Sequence, residues 1–130
     1  MLGLEGYLSK IAISQTLKEL VKIRASQINN CAYCINMHTK DAIKNGESPE
    51  RIFLLSAWRE ATKFFTQEEQ TLLAMTEEIT LIHHSGLSEE TYRKALEFFT
   101  ENQIVQIIVL IVTINGWNRI ALSIHQEIED

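Results

Sequence analysis

Apolar residues in this 130-residue chain recur at three- and four-residue intervals, and no useful segment alternates as a half-buried strand would. Leu17, Leu20, Val21, Ala25 and Ile28 form the first stripe. They predict a helix from about Gln15 to Ile28, which Asn29-Asn30 interrupts. A second helix is expected from the cysteines at 31 and 34 to Asn45, with Gly46 as a left-handed stop. Ser48 as N-cap and Pro49 at the first helical position open a third, carrying Ile52, Leu55 and Trp58. Thr66 and Glu69 match a capping box. Leu72, Met75, Ile79 and Ile82 follow on one stripe until Gly86, and His83 within it reads as a core histidine. Ser88 caps a fifth helix with Tyr92, Ala95, Leu96 and Phe99 on one side. Thr100 and Gln103 give a second capping box, opening a long last helix that runs to about residue 125.

The pattern defines an all-α fold, a compact bundle of about six helices joined by short loops, in one domain spanning residues 1–130. Apolar residues circle much of the last helix's first half, which fits burial on several sides or a subunit contact. Residues 104–114, broken by Gln106, are too few to span a bilayer, which takes roughly 20 residues. The first ten residues, with an early Glu5, lack the apolar run of a signal peptide. A cytoplasmic protein without membrane contact is expected.

Charge changes that picture in one respect. The formal net charge of −5 gives no nucleic-acid footprint. Residues 1–65 nevertheless carry nine Lys/Arg against six Asp/Glu, and residues 66–130 carry three against eleven. Both cysteines lie in the basic half, a setting that favours thiolate over thiol.

The candidate chemistry is concentrated in "CAYCINMH", residues 31–38. On a helix, Cys31 and Cys34 are an i, i+3 pair, and Cys34 and His38 an i, i+4 pair; both are neighbour spacings. Two thiols a turn apart can close a disulfide, a helix N-terminus lowers thiol pKa, and an imidazole one turn on can accept a proton and return it. A redox dithiol is the favoured reading. Zinc is the main alternative, with Cys31, Cys34 and His38 as three ligands and a carboxylate as the fourth, although no second cysteine pair closes the usual tetrahedron.

The stretch "KELVKIRASQINNCAYCINMHTKDAIKNGE" resembles the core motif of the alkylhydroperoxidase D family, within the wider carboxymuconolactone decarboxylase-like superfamily. "SAWRE", "TQEEQTLLAMTEEIT" and "INGWNRIALS" are similar to its single-domain branch. The resemblance implies a helical protomer assembled as a homo-trimer or homo-hexamer, reducing a small-molecule peroxide in an antioxidant role. It implies no bound cofactor: the redox-active Cys31–Cys34 disulfide is re-reduced by an external dithiol protein, such as a lipoyl-bearing one. It also implies the roles. Cys34 attacks the peroxide, Cys31 resolves, His38 accepts the proton, and Glu19 is the relay carboxylate orienting His38 or a bound water. On a helical wheel alone, Glu19 lies opposite the apolar stripe and reads as a solvated charge. The two readings agree if that face packs on the cysteine helix.

Tyr33 stands where the best-studied members carry a second histidine, and a phenol cannot share proton transfer near neutral pH. Peroxidase strength and substrate therefore stay open, and Tyr33 itself reads as a packing aromatic. Two rivals remain: a non-peroxidatic enzyme of the decarboxylase branch, whose chemistry needs no dithiol, and a redox-responsive assembly protein without turnover. Trp58, Trp117 and Phe64-Phe65 read as core or subunit contact, with a pocket wall near the thiols as the alternative. Asn115, Asn118 and Arg119 interrupt an apolar helix and need partners if buried, capping or orienting the cysteine helix.

Overall fold

The computed structural model describes residues 1–128, and among these it contains only helices, turns and loops. The α-helices are α1 (Leu2–Leu8), α2 (Gln15–Ile28), α3 (Ala32–Lys44), α4 (Pro49–Leu54), α5 (Gln67–Thr80), α6 (Glu89–Ala95) and α7 (Glu101–Ser123). Two 3-10 segments, Leu55–Glu60 and Thr62–Phe64, link α4 to α5.

Of the caps the sequence places, Thr66, Ser88 and Thr100 act through their side chains, whereas Ser48 stands at the N-cap of α4 without a side-chain cap bond. Ser14, Thr66, Ser88 and Thr100 each accept a backbone N–H with their side chains, and Thr66/Glu69 and Thr100/Gln103 complete reciprocal boxes. Gly46, at φ 95°, stops α3 with Glu47 N–H closing back on Ala42 O at 2.9 Å.

α2 is the hub, because it is apolar on two sides. Leu17, Val21 and Ala25 pack with Leu72 and Met75 of α5 and with Ile104, Ile107, Leu110, Ile111 and Ile114 of α7. Leu20 and Ile23 pack with Ala42, Ile52, Leu55, Trp58, Phe65 and Leu73. α7 is long and apolar enough to cross a membrane by length and composition, yet its buried face fills the first of these clusters.

Three expectations need correction. α1 was not foreseen: Leu2, Leu4 and Tyr7 are exposed, so only Leu8 reports a buried face. The third predicted helix is α4 followed by a 3-10 turn, broken at Ala57 (φ −122°, ψ 34°). Ile52, Leu55 and Trp58 are still buried, because three-residue spacing suits a 3-10 turn as well as an α-helix. α5 ends at Thr80, not near Gly86. Ile82 and His83 fall in the turn beyond it and are exposed, so His83 is a surface residue beside His84 and not a core histidine.

Candidate active site

The site begins where α2 stops. Asn30 takes the left-handed conformation (φ 56°), and Cys31 N–H bonds back to Ser26 O at 3.0 Å. The chain turns so that Cys31 becomes the N-cap of α3, its sulfur accepting the Cys34 N–H at 3.4 Å. Cys31 and Cys34 form a disulfide with Cα atoms 5.3 Å apart. Both residues are buried, at 1% and 2% exposure.

Asparagines hold this turn in place. Asn29 Nδ2 donates to Asn115 Oδ1 and Asn118 Oδ1, each at 2.9 Å, and Asn118 Nδ2 donates to Ser26 Oγ at 3.0 Å. Asn115 Nδ2 donates in turn to Thr80 Oγ1, and Arg119 donates to Asn115 Oδ1. Asn118 is fully buried and partnered. The polar interruption of α7 thus ties it to the end of α2 that delivers Cys31.

Cys34 borders a cavity of about 420 Å³. His38 faces it one turn along α3, as do Lys22 of α2, Glu5 of α1, and Trp117 and Ile120 of α7. Burial pushes the His38 imidazole down from 6.5 to about 4, and Lys22 adds to the effect, while Asp41 and Glu5 pull the other way. The ring is therefore neutral across the physiological range, and the same burial makes it a weaker base than a free imidazole until an anionic sulfur forms beside it. Trp117 Nε1 donates to Glu5 Oε1 at 2.8 Å, which fixes that carboxylate in the wall.

Three of the four expected site residues come together: Cys31, Cys34 and His38. Glu19 is buried, at 4% exposure, on the α2 face that packs against α3. The solvated-charge reading fails for this reason. Its Oε1 accepts from Asn45 Nδ2 at 2.7 Å and from Gln15 Nε2 at 3.1 Å, and it does not line the cavity. Among the described residues, no hydrogen bond reaches the His38 ring. Glu5 and Lys22 were not singled out as site residues. Lys22 could have been found one turn after Glu19 on α2. Glu5 could not, since its bond to Trp117 joins residues 112 apart in sequence. Trp117 is a pocket wall, whereas Trp58 and Phe65 are core. Among the described residues, no group of three or more His, Cys, Asp or Glu side chains is placed to hold a metal.

An all-helical chain carrying a Cys-x-x-Cys disulfide at a helix start, with a histidine one turn on, defines an alkylhydroperoxidase D-like protein. The chain belongs to the carboxymuconolactone decarboxylase family, which residues 3–78 match. It is 43% identical over 123 residues to the uncharacterized protein YdfG of Bacillus subtilis (strain 168), covering 95% of this chain and 83% of that protein. A crystal structure from Agrobacterium tumefaciens, of a protein of unknown function suggested to be the antioxidant defence protein AhpD, superposes with TM-score 0.94 at 34% identity. That match covers 99% of this chain and 88% of that one. The debrominase Bmp8 shares the fold alone, with TM-score 0.84 at 19% identity over 98% of this chain and 68% of that one.

Proposed function

We propose that the protein is a cysteine-dependent peroxidase with thiol-disulfide oxidoreductase chemistry. The observation that carries this reading is the Cys31–Cys34 disulfide, with Cys34 opening into the cavity that also holds a neutral His38. In the reduced protein the Cys34 proton passes to His38. The thiolate attacks one peroxide oxygen, the O–O bond breaks, and His38 returns the proton to the leaving oxygen. The Cys34 sulfenic acid then condenses with the Cys31 thiol, forming the disulfide and releasing water. An external dithiol protein, of the lipoyl-bearing kind, resets the pair by exchange. Lys22 and the N-terminus of α3 favour the anionic sulfur at Cys34. Glu19 in this reading is a positioning residue, tying the end of α3, the helix that carries His38, to α2 at Asn45.

Cys34→Ser is expected to abolish peroxide turnover, and His38→Gln to slow it by ~10²–10⁴. Turnover by Cys34→Ser at the wild-type rate would overturn the reading.

The working form in this reading is a cytoplasmic homo-trimer or homo-hexamer. Val105 and Val112 of α7 are each more than half exposed, as are Phe53 and Leu2 elsewhere, and such apolar surface suits a subunit contact. Sedimentation showing a stable monomer at micromolar concentration would contradict that assembly.

A further inference from the structure

The peroxidase reading uses one side of the disulfide, and the other side has its own opening. A separate cavity of about 260 Å³ lies against Cys31, walled by Asn30, Ala32, Leu122 and His125. Tyr33, Ala121 and Gln126 border both cavities and divide them. Cys34 lines only the larger one and Cys31 only the smaller.

The notch follows from how two helices stop. Asn30 and His125, at φ 56° and 52°, are the described non-glycine residues with positive φ. Cys31 N–H closes on Ser26 O, and Gln126 N–H on Ala121 O, each at 3.0 Å. These are the six-to-one bonds of Schellman endings. α2 and α7 therefore end at the rim of one hollow, where α3 begins. Asn30, Ala32, Leu122 and His125 are all exposed, so the hollow opens to solvent.

The surroundings also separate the two sulfurs electrostatically. Helix C-termini carry partial negative charge, and two of them border Cys31. Both sulfurs share the positive end of α3, Cys31 as its N-cap and Cys34 in its first turn, but only Cys34 borders the cavity that holds Lys22. Negative charge is better held on Cys34. In exchange the sulfur better able to carry charge is the better leaving group, so its partner is the one attacked.

We propose that the notch beside Cys31 is the entry site for the reductant's dithiol, and that Cys31 is the sulfur it attacks; this rests on the peroxidase reading above. A hollow this small admits the tip of a flexible dithiol arm, not the face of a folded protein. One reductant thiol gives its proton to His125 and attacks Cys31. The S–S bond breaks and Cys34 leaves as thiolate. The reductant's second thiol, losing its proton to solvent, attacks the reductant sulfur of the mixed disulfide. Cys31 leaves and recovers its proton from His125. The reductant has lost two electrons and become a cyclic disulfide, and Cys34 takes up from solvent the proton that His38 accepts in the next peroxide turnover. Substrate and reductant thus use opposite doors.

The test starts from protein whose disulfide has been set with diamide, so it does not depend on peroxide activity. The disulfide is opened briefly with 2-mercaptoethanol, quenched in acid, and the adduct is placed by tandem mass spectrometry of the peptide spanning residues 25–40. The adduct is expected on Cys31; an adduct predominantly on Cys34 overturns the proposal. Leu122→Trp fills the notch from an exposed position that disturbs no core. It should slow reduction by dihydrolipoamide at least tenfold, while Ile120→Trp, in the other cavity, slows it less than threefold. Equal slowing, or the reverse order, overturns the proposal. Failure of the reduced protein to react with any peroxide would instead sink the peroxidase reading and leave both of these results intact.

Discussion

The two halves of α7 follow different physical rules. From Ile104 to Ile114 the helix is a core element: Ile104, Ile107, Leu110, Ile111 and Ile114 are at most 2% exposed, against α2 and α5. From Asn115 onward the same helix holds an asparagine clamp, a tryptophan-anchored carboxylate and the walls of both sulfur cavities. The first half gains its stability from burial, which is non-directional. The second half is held by hydrogen bonds, which demand position and so can orient a reacting pair. A continuous helix lets the rigid apolar half set the coordinates of the polar one.

The largest expected effect tests the first half. Ile107→Ala removes a fully buried side chain and should cost about 2–5 kcal/mol, read from the urea midpoint. The rate per folded molecule should not change. A matching loss of specific activity would mean that the two halves are not separable.

Asn118→Ala probes the other half and should cost about 1–3 kcal/mol, because it removes an acceptor from Asn29 and a donor to Ser26 Oγ inside the fold. Here activity should fall together with stability, since Asn29 fixes the turn that delivers Cys31. A double-mutant cycle with Asn29→Ala should return a coupling of about 0.5–3 kcal/mol. Simple additivity would show the clamp to be incidental to the turn.

This contrast also explains what the sequence could reveal. Caps, stops and apolar stripes are local, so α2, α3, the start of α6 and the capping boxes were legible, although α6 ends at Ala95 and leaves Leu96 exposed. The Cys31/Cys34/His38 face was legible because all three residues lie on one helix start. Asn115 and Asn118 announced themselves as polar breaks in an apolar helix, though their partner Asn29 did not. Glu19 read as a surface charge because a wheel knows one buried face, and α2 has two. α1 and Glu5 were invisible: a seven-residue helix with one buried side chain leaves no period, and its role comes from Trp117 at the far end of the chain. The end of α5 was misplaced because Ile82 and His83 continued the stripe past the residue where the backbone turns.

The smallest effect concerns His38, which shares its cavity with the second half of α7. Its pKa in the folded protein, about 4, lies below the 6.5 of an unperturbed ring. As pH falls from 6.5, the unfolded chain takes up this proton first, which draws the equilibrium toward unfolding. The stabilising contribution is complete above pH 6.5 and is lost as pH falls toward 4. A full shift would amount to at most about 3 kcal/mol, and water reaching a half-buried ring reduces it to about 1 kcal/mol. The difference in stability between wild type and His38→Gln cancels the carboxylates common to both, and it should slope only within that window. Trp117→Ala, which opens the wall over the ring, should flatten the slope by raising the His38 pKa toward 6.5. A slope unchanged by Trp117→Ala would mean that α2 and α3 alone exclude water from His38. The second half of α7 would then shape the cavity without tuning its base.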